Sequence, residues 1–346
     1  RQRQMCIRDS DEIRWYDQDS MIYISGLTEI DAVMGNDEKL IRDIEIAAEE
    51  LKPKFIALAG SPIPYMNGTD FEAIAKILEQ DLGIPAFSVP TNGMHDYVYG
   101  VGRALAEIAK RIEGKREVTP KSVNLLGVTP LDFGPQEHVD ALIQNVEQAG
   151  WKVLSTWAMG DTLENLARAP EAEVNLVVSS TGLRAAEILR ERFGTPYVTG
   201  TPIRGFMKTL LNAIEEKKQV AYLEEEKRIR GFTLESGKRD TIILIGEPVI
   251  MKSLAAAIEI KYRINVKVIC PLKETDGLLA DGDVAVRGEE ELEQVLLRES
   301  ENLKGVVADP LYRPVCPENV AFYELPHIAF SGRIYKKKLP VLAELI

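Results

Sequence analysis

Residues 55–102 read FIALAGSPIPYMNGTDFEAIAKILEQDLGIPAFSVPTNGMHDYVYGVG, and the fold is decided here. Phe55 to Ala59 is a short apolar run, the signature of a buried parallel strand. It stops at Gly60-Ser61-Pro62, where glycine and proline end regular structure. Asn67-Gly68-Thr69-Asp70 can cap a helix, and Phe71, Ile74, Ala75, Ile77 and Leu78 then recur at helical spacing, up to Gly83. Pro85 to Val89 is the next strand. It is followed by the loop Pro90-Thr91-Asn92-Gly93-Met94 and by a helix starting near His95 or Asp96. In a doubly wound sheet ligands lie beyond the carboxyl ends of the strands, so loops 60–69 and 90–95 are expected to share a crevice.

The same strand–loop–helix unit recurs along the chain. After an amphipathic helix at 37–51, capped by Asn36 and turning Leu40, Ile41, Ile44 and Ala47 inward, come strands near 55–59 and 85–89. A polar linker, 114–120, leads to strands at 123–128, 152–157, 174–179 and 197–199. A long helix is expected over about 205–229. A third set has strands at 241–246, 266–270, 284–286, 305–308 and 321–325. Strands alternating with helices imply an α/β protein of three Rossmann-like domains, each a parallel sheet flanked by helices. The expected boundaries are 11–116, 117–236 and 237–346. Residues 1–10, RQRQMCIRDS, resemble adapter read-through and are set aside as an artefact or tail. The first domain is then N-terminally incomplete.

Composition narrows the function. The chain has 346 residues, 45% hydrophobic and 28% charged, with a net charge of −12. That acidity argues against nucleic acid and anionic membrane surfaces. No apolar run approaches the roughly 20 residues a membrane helix needs, and without a signal peptide the cytoplasm is expected. Three cysteines, Cys6, Cys270 and Cys316, make no disulfide framework. No Walker or dinucleotide fingerprint is present, which weakens a sugar- or nucleotide-handling reading.

The candidate residues sit on the strand-end loops. His95, at a helix start, and His327, in Glu324-Leu325-Pro326-His327-Ile328, are candidate proton donors. Ser61, Asn67, Thr91, Asn92, Gly93, Thr129, Thr181, Arg204, Arg313 and Cys316 are candidates for a substrate or cofactor pocket. Arg204, with Lys208, would hold an acidic group. His138 is expected to face solvent. No metal ligand set is identified.

Thr28-Glu29-Ile30-Asp31-Ala32-Val33-Met34-Gly35, the Asn67–Ile74 helix start, Gly83-Ile84-Pro85 and Gly194-Thr195-Pro196 follow one another in an order that resembles the nitrogenase component 1 family. That family includes the chains of the molybdenum-iron protein, dark-operative protochlorophyllide reductase subunits and the nickel-sirohydrochlorin reductive cyclase. The stretch around His327 is similar to one that holds a cofactor-ligating histidine in the molybdenum-iron protein's alpha chain, one residue shorter. Where cluster-holding members place cysteines, this chain has Ser61 and Thr91, poor substitutes for thiolates. The resemblance therefore implies a divergent, cysteine-poor oxidoreductase component, not a true nitrogenase. It would hold no cofactor by itself, or share an iron–sulfur cluster or metallocofactor with a partner. The implied partners are a second component-1-like chain, an ATP-dependent iron–sulfur reductase, and a small-molecule or tetrapyrrole-like substrate. The alternative is a non-catalytic scaffold or cofactor-assembly protein.

Overall fold

The computed structural model describes residues 30, 35–222, 240–273 and 277–346. Trp15 and Tyr16, most of the 28–35 segment, and the acidic run at 224–226 lie outside them. The chain divides into two units, residues 1–107 and 108–346.

In the first unit, α1 (Asp37–Leu51) starts where Asn36 Oδ1 accepts from Lys39 N, and buries Ile44 and Ala48. Ala48, not Ala47, completes the buried stripe, because positions four apart share a face. β1 (Ile56–Ala59) pairs in parallel with β2 (Ala86–Val89), Ile56 opposite Ala86. Between them lie α2 (Pro62–Met66), a turn of helix inside the expected loop, and α3 (Phe71–Leu82). Asp70 caps α3 by accepting from Ala73 N, and Gly83 ends it at φ 66°. Ile74, Ala75 and Leu78 are buried, but Ile77 is exposed. α4 (Tyr97–Arg111) follows, its first turn capped by Asp96 Oδ1.

The second unit holds two parallel sheets. β3 (Thr119–Leu126), α5 (Pro130–Phe133), α6 (Gln136–Gln148), β4 (Lys152–Trp157), α7 (Leu163–Ala167), β5 (Ala172–Val177), α8 (Leu183–Phe193) and β6 (Tyr197–Thr199) build a sheet of order β4-β3-β5-β6. α9 (Met207–Glu216) follows. The long helix expected over 205–229 is cut short there: Lys217 turns left-handed at φ 55°, and the chain returns so that Val220 bridges Thr199 beside β6. Gln219 O accepts from both Thr199 N and Thr199 Oγ1. These backbone bonds to a sheet edge outweigh helix propensity, which is a weak force.

β7 (Thr241–Ile245), α10 (Pro248–Tyr262), β8 (Asn265–Cys270), β9 (Val284–Ala285), α11 (Glu289–Glu299), β10 (Leu303–Ala308), β11 (Ala321–Glu324) and α12 (Ile328–Ser331) follow. The strands form a sheet of order β11-β10-β7-β8-β9. α10 is buried continuously from Pro248 to Glu259. A helix that is apolar all round belongs in a core, and one hydrophobic cluster runs from Leu125 and Leu176 through Ile250 and Leu254 to Val266 and Val268. The two sheets of this unit therefore share one core, with α10 within it. Lys252, on that helix, is fully buried, where it donates to Asp283 Oδ2 at 2.7 Å. Each sheet in the described residues is parallel, as the α/β reading requires.

Candidate functional site

The carboxyl ends of strands from both sheets of the second unit meet in a buried polar centre. Two glycines make the approach possible. A Cβ on Gly127 would lie 2.7 Å from Gly182 N and Ser179 O, and one on Gly182 would lie 2.6 Å from Leu126 O. Gly127 also sits at φ 86°, which favours glycine. Backbone thus packs on backbone at the ends of β3 and β5, and Thr129–Asp132 come to face Ser179–Thr181.

Asp132 is the hub. Its Oδ2 accepts from Thr129 Oγ1 at 3.0 Å and Ser179 Oγ at 2.8 Å, and its Oδ1 lies 3.4 Å from His327 Nε2. Thr181 closes the loop, its Oγ1 donating to Gly127 O. Glu247, fully buried after β7, accepts from Ile250 N at 2.7 Å, capping α10, and from Ser180 N at 2.8 Å, tying the two sheets together. Burial, and secondly the nearby Asp132 charge, push the Glu247 carboxyl up to about 7. After β10, Asp309 accepts from Leu311 N at 2.9 Å, His327 N at 2.8 Å and Ser331 Oγ at 2.7 Å.

His327 is 5% exposed. Its Nδ1 accepts from Ala329 N at 3.2 Å, capping α12, and its ring lies 4.9 Å from that of Phe330. An accepting Nδ1 puts the neutral ring's proton on Nε2, facing Asp132. The centre thus gathers the Glu247 carboxyl, the Asp132 carboxylate and the His327 imidazole, and is filled by the protein's own side chains.

The structure brings Thr129, Thr181 and His327 together and leaves other candidates elsewhere. Arg313 is at the surface, 4.0 Å from Glu324 Oε1 and over the Phe322 ring. Cys316 is half-buried and donates to Tyr312 O at 3.2 Å; burial pushes its thiol up to about 11. Arg204 is exposed and lines a separate cleft. His138 departs from expectation: it is half-buried, because its Nδ1 lies 3.1 Å from Phe133 O.

Asp132, Ser179, Glu247 and Asp309 were not singled out by sequence reasoning. The signal was present. Glu247 and Asp309 stand one or two positions beyond apolar strands, where an acidic side chain reaches the carboxyl edge of a sheet.

In the first unit, the loops after β1 and β2 do pack together. Thr91 Oγ1 donates to Gly60 O at 2.9 Å, and Gly93, at φ 72°, lies against the Pro62 ring. Asn92 Oδ1 accepts from Met94 N at 3.0 Å and is 2.9 Å from His95 Nδ1. The exposed His95 ring stacks on Tyr99 at 4.0 Å, and Arg103 covers Tyr99 at 5.0 Å. Ser61 and Asn67 are exposed at the two ends of α2. A Cβ on Gly60 would stand 2.3 Å from the Thr91 carbonyl oxygen. Gly60→Ala should therefore destabilise this unit by about 1–3 kcal/mol. Limited proteolysis within residues 55–95 checks this; cleavage at the wild-type rate would refute it.

An iron–sulfur cluster of the kind the resemblance implies needs thiolates. The described residues offer Cys270, fully buried at the end of β8, and Cys316, whose thiol is held protonated by burial and turned into its own turn. Among the described residues no group of three or more His, Cys, Asp or Glu is placed to hold a metal ion. This donor set does not fit a cluster. No described helix is long and apolar enough to cross a membrane.

Comparison with known proteins follows the same line. A family model for nitrogenase component 1 type oxidoreductases matches residues 5–271. The nitrogenase molybdenum-iron protein alpha chain of Azospirillum brasilense is 28% identical over 191 residues, covering 52% of this chain and 39% of the relative. A light-independent protochlorophyllide reductase subunit of Prosthecochloris aestuarii is 28% identical over 220 residues, 59% of this chain and 39% of the relative. The nitrogenase iron-molybdenum cofactor biosynthesis protein NifE of Klebsiella pneumoniae is 23% identical over 194 residues, 52% of this chain and 42% of the relative. The chain thus spans about two-fifths of the length of these relatives. A solved structure of "Nitrogenase Cp1 at pH 5" superposes on 92% of this chain and 67% of its own with a TM-score of 0.53 at 19% identity, a likeness of fold. With a match over most of its length and the parallel-sheet architecture in place, the chain belongs to the nitrogenase component 1 type oxidoreductase family.

Proposed function

We propose that this chain is a subunit of a nitrogenase-like multi-subunit reductase and lends it pocket walls and proton-bearing groups rather than an iron–sulfur cluster of its own. The observation that carries this reading is the strand-end centre itself. Glu247 and His327, each near the Asp132 carboxylate, supply a carboxyl and an imidazole N–H, yet no thiolate set stands beside them among the described residues. On this reading His327 Nε2–H, 3.4 Å from Asp132 Oδ1, is the donor, and Glu247, half-protonated near pH 7, is the reservoir. His95 donates Nδ1–H to Asn92 Oδ1, which leaves Nε2 of the neutral ring as an exposed acceptor on the first unit. Electrons would come from an ATP-dependent iron–sulfur reductase through a second component-1-like chain. The substrate would be a small molecule or a tetrapyrrole-like cofactor. Two relatives, one named as an alpha chain and the other as a reductase subunit, support membership of a larger assembly.

A second reading, a cofactor-assembly scaffold, is favoured by one observation: the centre is filled by its own hydrogen bonds. The likeness to NifE, named as a biosynthesis protein, points the same way.

Anaerobic co-expression with a second component-1-type chain encoded beside it tests the proposal. The expected result is a defined complex on gel filtration whose reductase activity falls with His327→Gln, while this chain alone stays colourless after reconstitution. A monomer that ignores its neighbour, or a brown isolated chain with about four irons, would overturn it. A complex whose activity is indifferent to His327→Gln selects the scaffold.

A further inference from the structure

We propose that the cleft between α6, the start of α9 and the turn at 342–344 binds a small zwitterion, a molecule of amino-acid size carrying one ammonium and one carboxylate. The inference is independent of the reductase reading. The cleft has a volume of about 430 Å³, and its walls include Gln144, Gln148, Arg204, Met207 and Glu344. That volume lies within the range of small-molecule sites.

The walls are fastened by one side chain. Asn145 Nδ2 donates to Pro202 O at 2.9 Å and to Ala343 O at 2.8 Å, so the loop before α9 and the 342–344 turn are both pinned to α6. The cleft is therefore a built feature of the second unit.

Its lining carries one charge of each sign. Arg204 and Glu344 line the same cavity but form no ion pair with each other, and among the described residues neither has another charged partner. Opposite charges that share a cleft without closing on each other leave a space for a ligand that bridges them. The helix ends add to the same field. α9 begins beside Arg204 with no acidic residue in its first turn and no side-chain cap. α6 ends at Gln148 with no basic residue in its last turn. Helix starts carry partial positive charge and helix ends partial negative charge, so a carboxylate is favoured at Arg204 and the start of α9, and an ammonium at Glu344 and at the end of α6. The amides of Gln144 and Gln148, one turn apart and exposed, offer hydrogen bonds to either group. The Met207 side chain and the methyls of Ala141, Ala149 and Ala343 supply the apolar surface for a short spacer.

Calorimetric titration with L-methionine tests this, with N-acetyl-L-methionine and L-methionine methyl ester as single-charge controls. L-methionine should bind with a dissociation constant on the order of a millimolar, and each control about tenfold more weakly, having lost one charge-assisted contact. Arg204→Gln and Glu344→Gln should each weaken L-methionine about tenfold, and the urea midpoint should stay unchanged because both side chains are exposed. Three results would overturn the proposal: no binding at concentrations on the order of tens of millimolar, a single-charge control that binds as tightly as L-methionine, or affinity indifferent to both substitutions.

Discussion

Asp309→Ala should lower the unfolding free energy by about 3–5 kcal/mol, followed by urea titration of tryptophan fluorescence. The side chain is almost fully buried and accepts from Leu311 N, His327 N and Ser331 Oγ. Alanine leaves those three donors without their acceptor, and each buried donor stripped of a partner costs about 1–3 kcal/mol, partly recovered by relaxation. The damage falls on the loop that presents His327, so α12 and the contact with Asp132 should loosen with it. Trp151 and Trp157 lie in the same unit, and a Trp15→Phe background confines the signal to them. Asp309→Asn, which keeps one acceptor, should fall between wild type and alanine. A loss below about 1 kcal/mol for Asp309→Ala would show that the centre does not depend on this carboxylate.

Stability should also fall as pH rises from about 4.5 to about 7, and Glu247 should be the cause. Its carboxyl has an ordinary value of 4.5 and is pushed up to about 7 in the fold, first by burial and then by Asp132. Between those values the folded chain holds a proton that the unfolded chain has released. Raising the pH therefore favours unfolding, and the loss levels off above about 7. The gap corresponds to about 3 kcal/mol for a single group. Urea midpoints measured across pH 4.5–8 should decline in wild type and run flatter in Glu247→Gln. Glutamine has one acceptor for two backbone N–H groups, so it lowers stability at every pH; the slope carries the test. Asp132→Asn should narrow the window from above by removing the neighbouring charge. Parallel wild-type and Glu247→Gln profiles would assign the decline to other groups.

Local order was legible in the residues themselves. The apolar runs at 123–126 and 241–245 became parallel strands buried on both sides of a sheet, and the run at 56–59 became one that buries Leu58. Asn36, Asp70 and Asp96 capped the helices that follow them, since a short polar side chain satisfies an otherwise unpaired N–H. Gly83 and Gly194 ended helices in the left-handed conformation that glycine takes without strain. Those are interactions between neighbours in sequence, and a short window contains both partners.

The strand-end centre was decided at long range. Asp132 meets Ser179 47 residues away, and Ser180 meets Glu247 67 residues away. His327 had been marked by its surroundings in sequence. Its partner Asp132, and the tautomer that Ala329 N imposes, required α5 and α12 to be brought face to face. The end of α9 at Lys217 was likewise invisible in a helix-forming stretch, because the edge of β6 drew the chain away. Sequence alone thus determined the elements, their order and the family resemblance. The closed buried centre and the cleft pinned by Asn145 are products of tertiary packing, because a buried polar group takes its character from whichever distant dipoles and charges the fold sets around it.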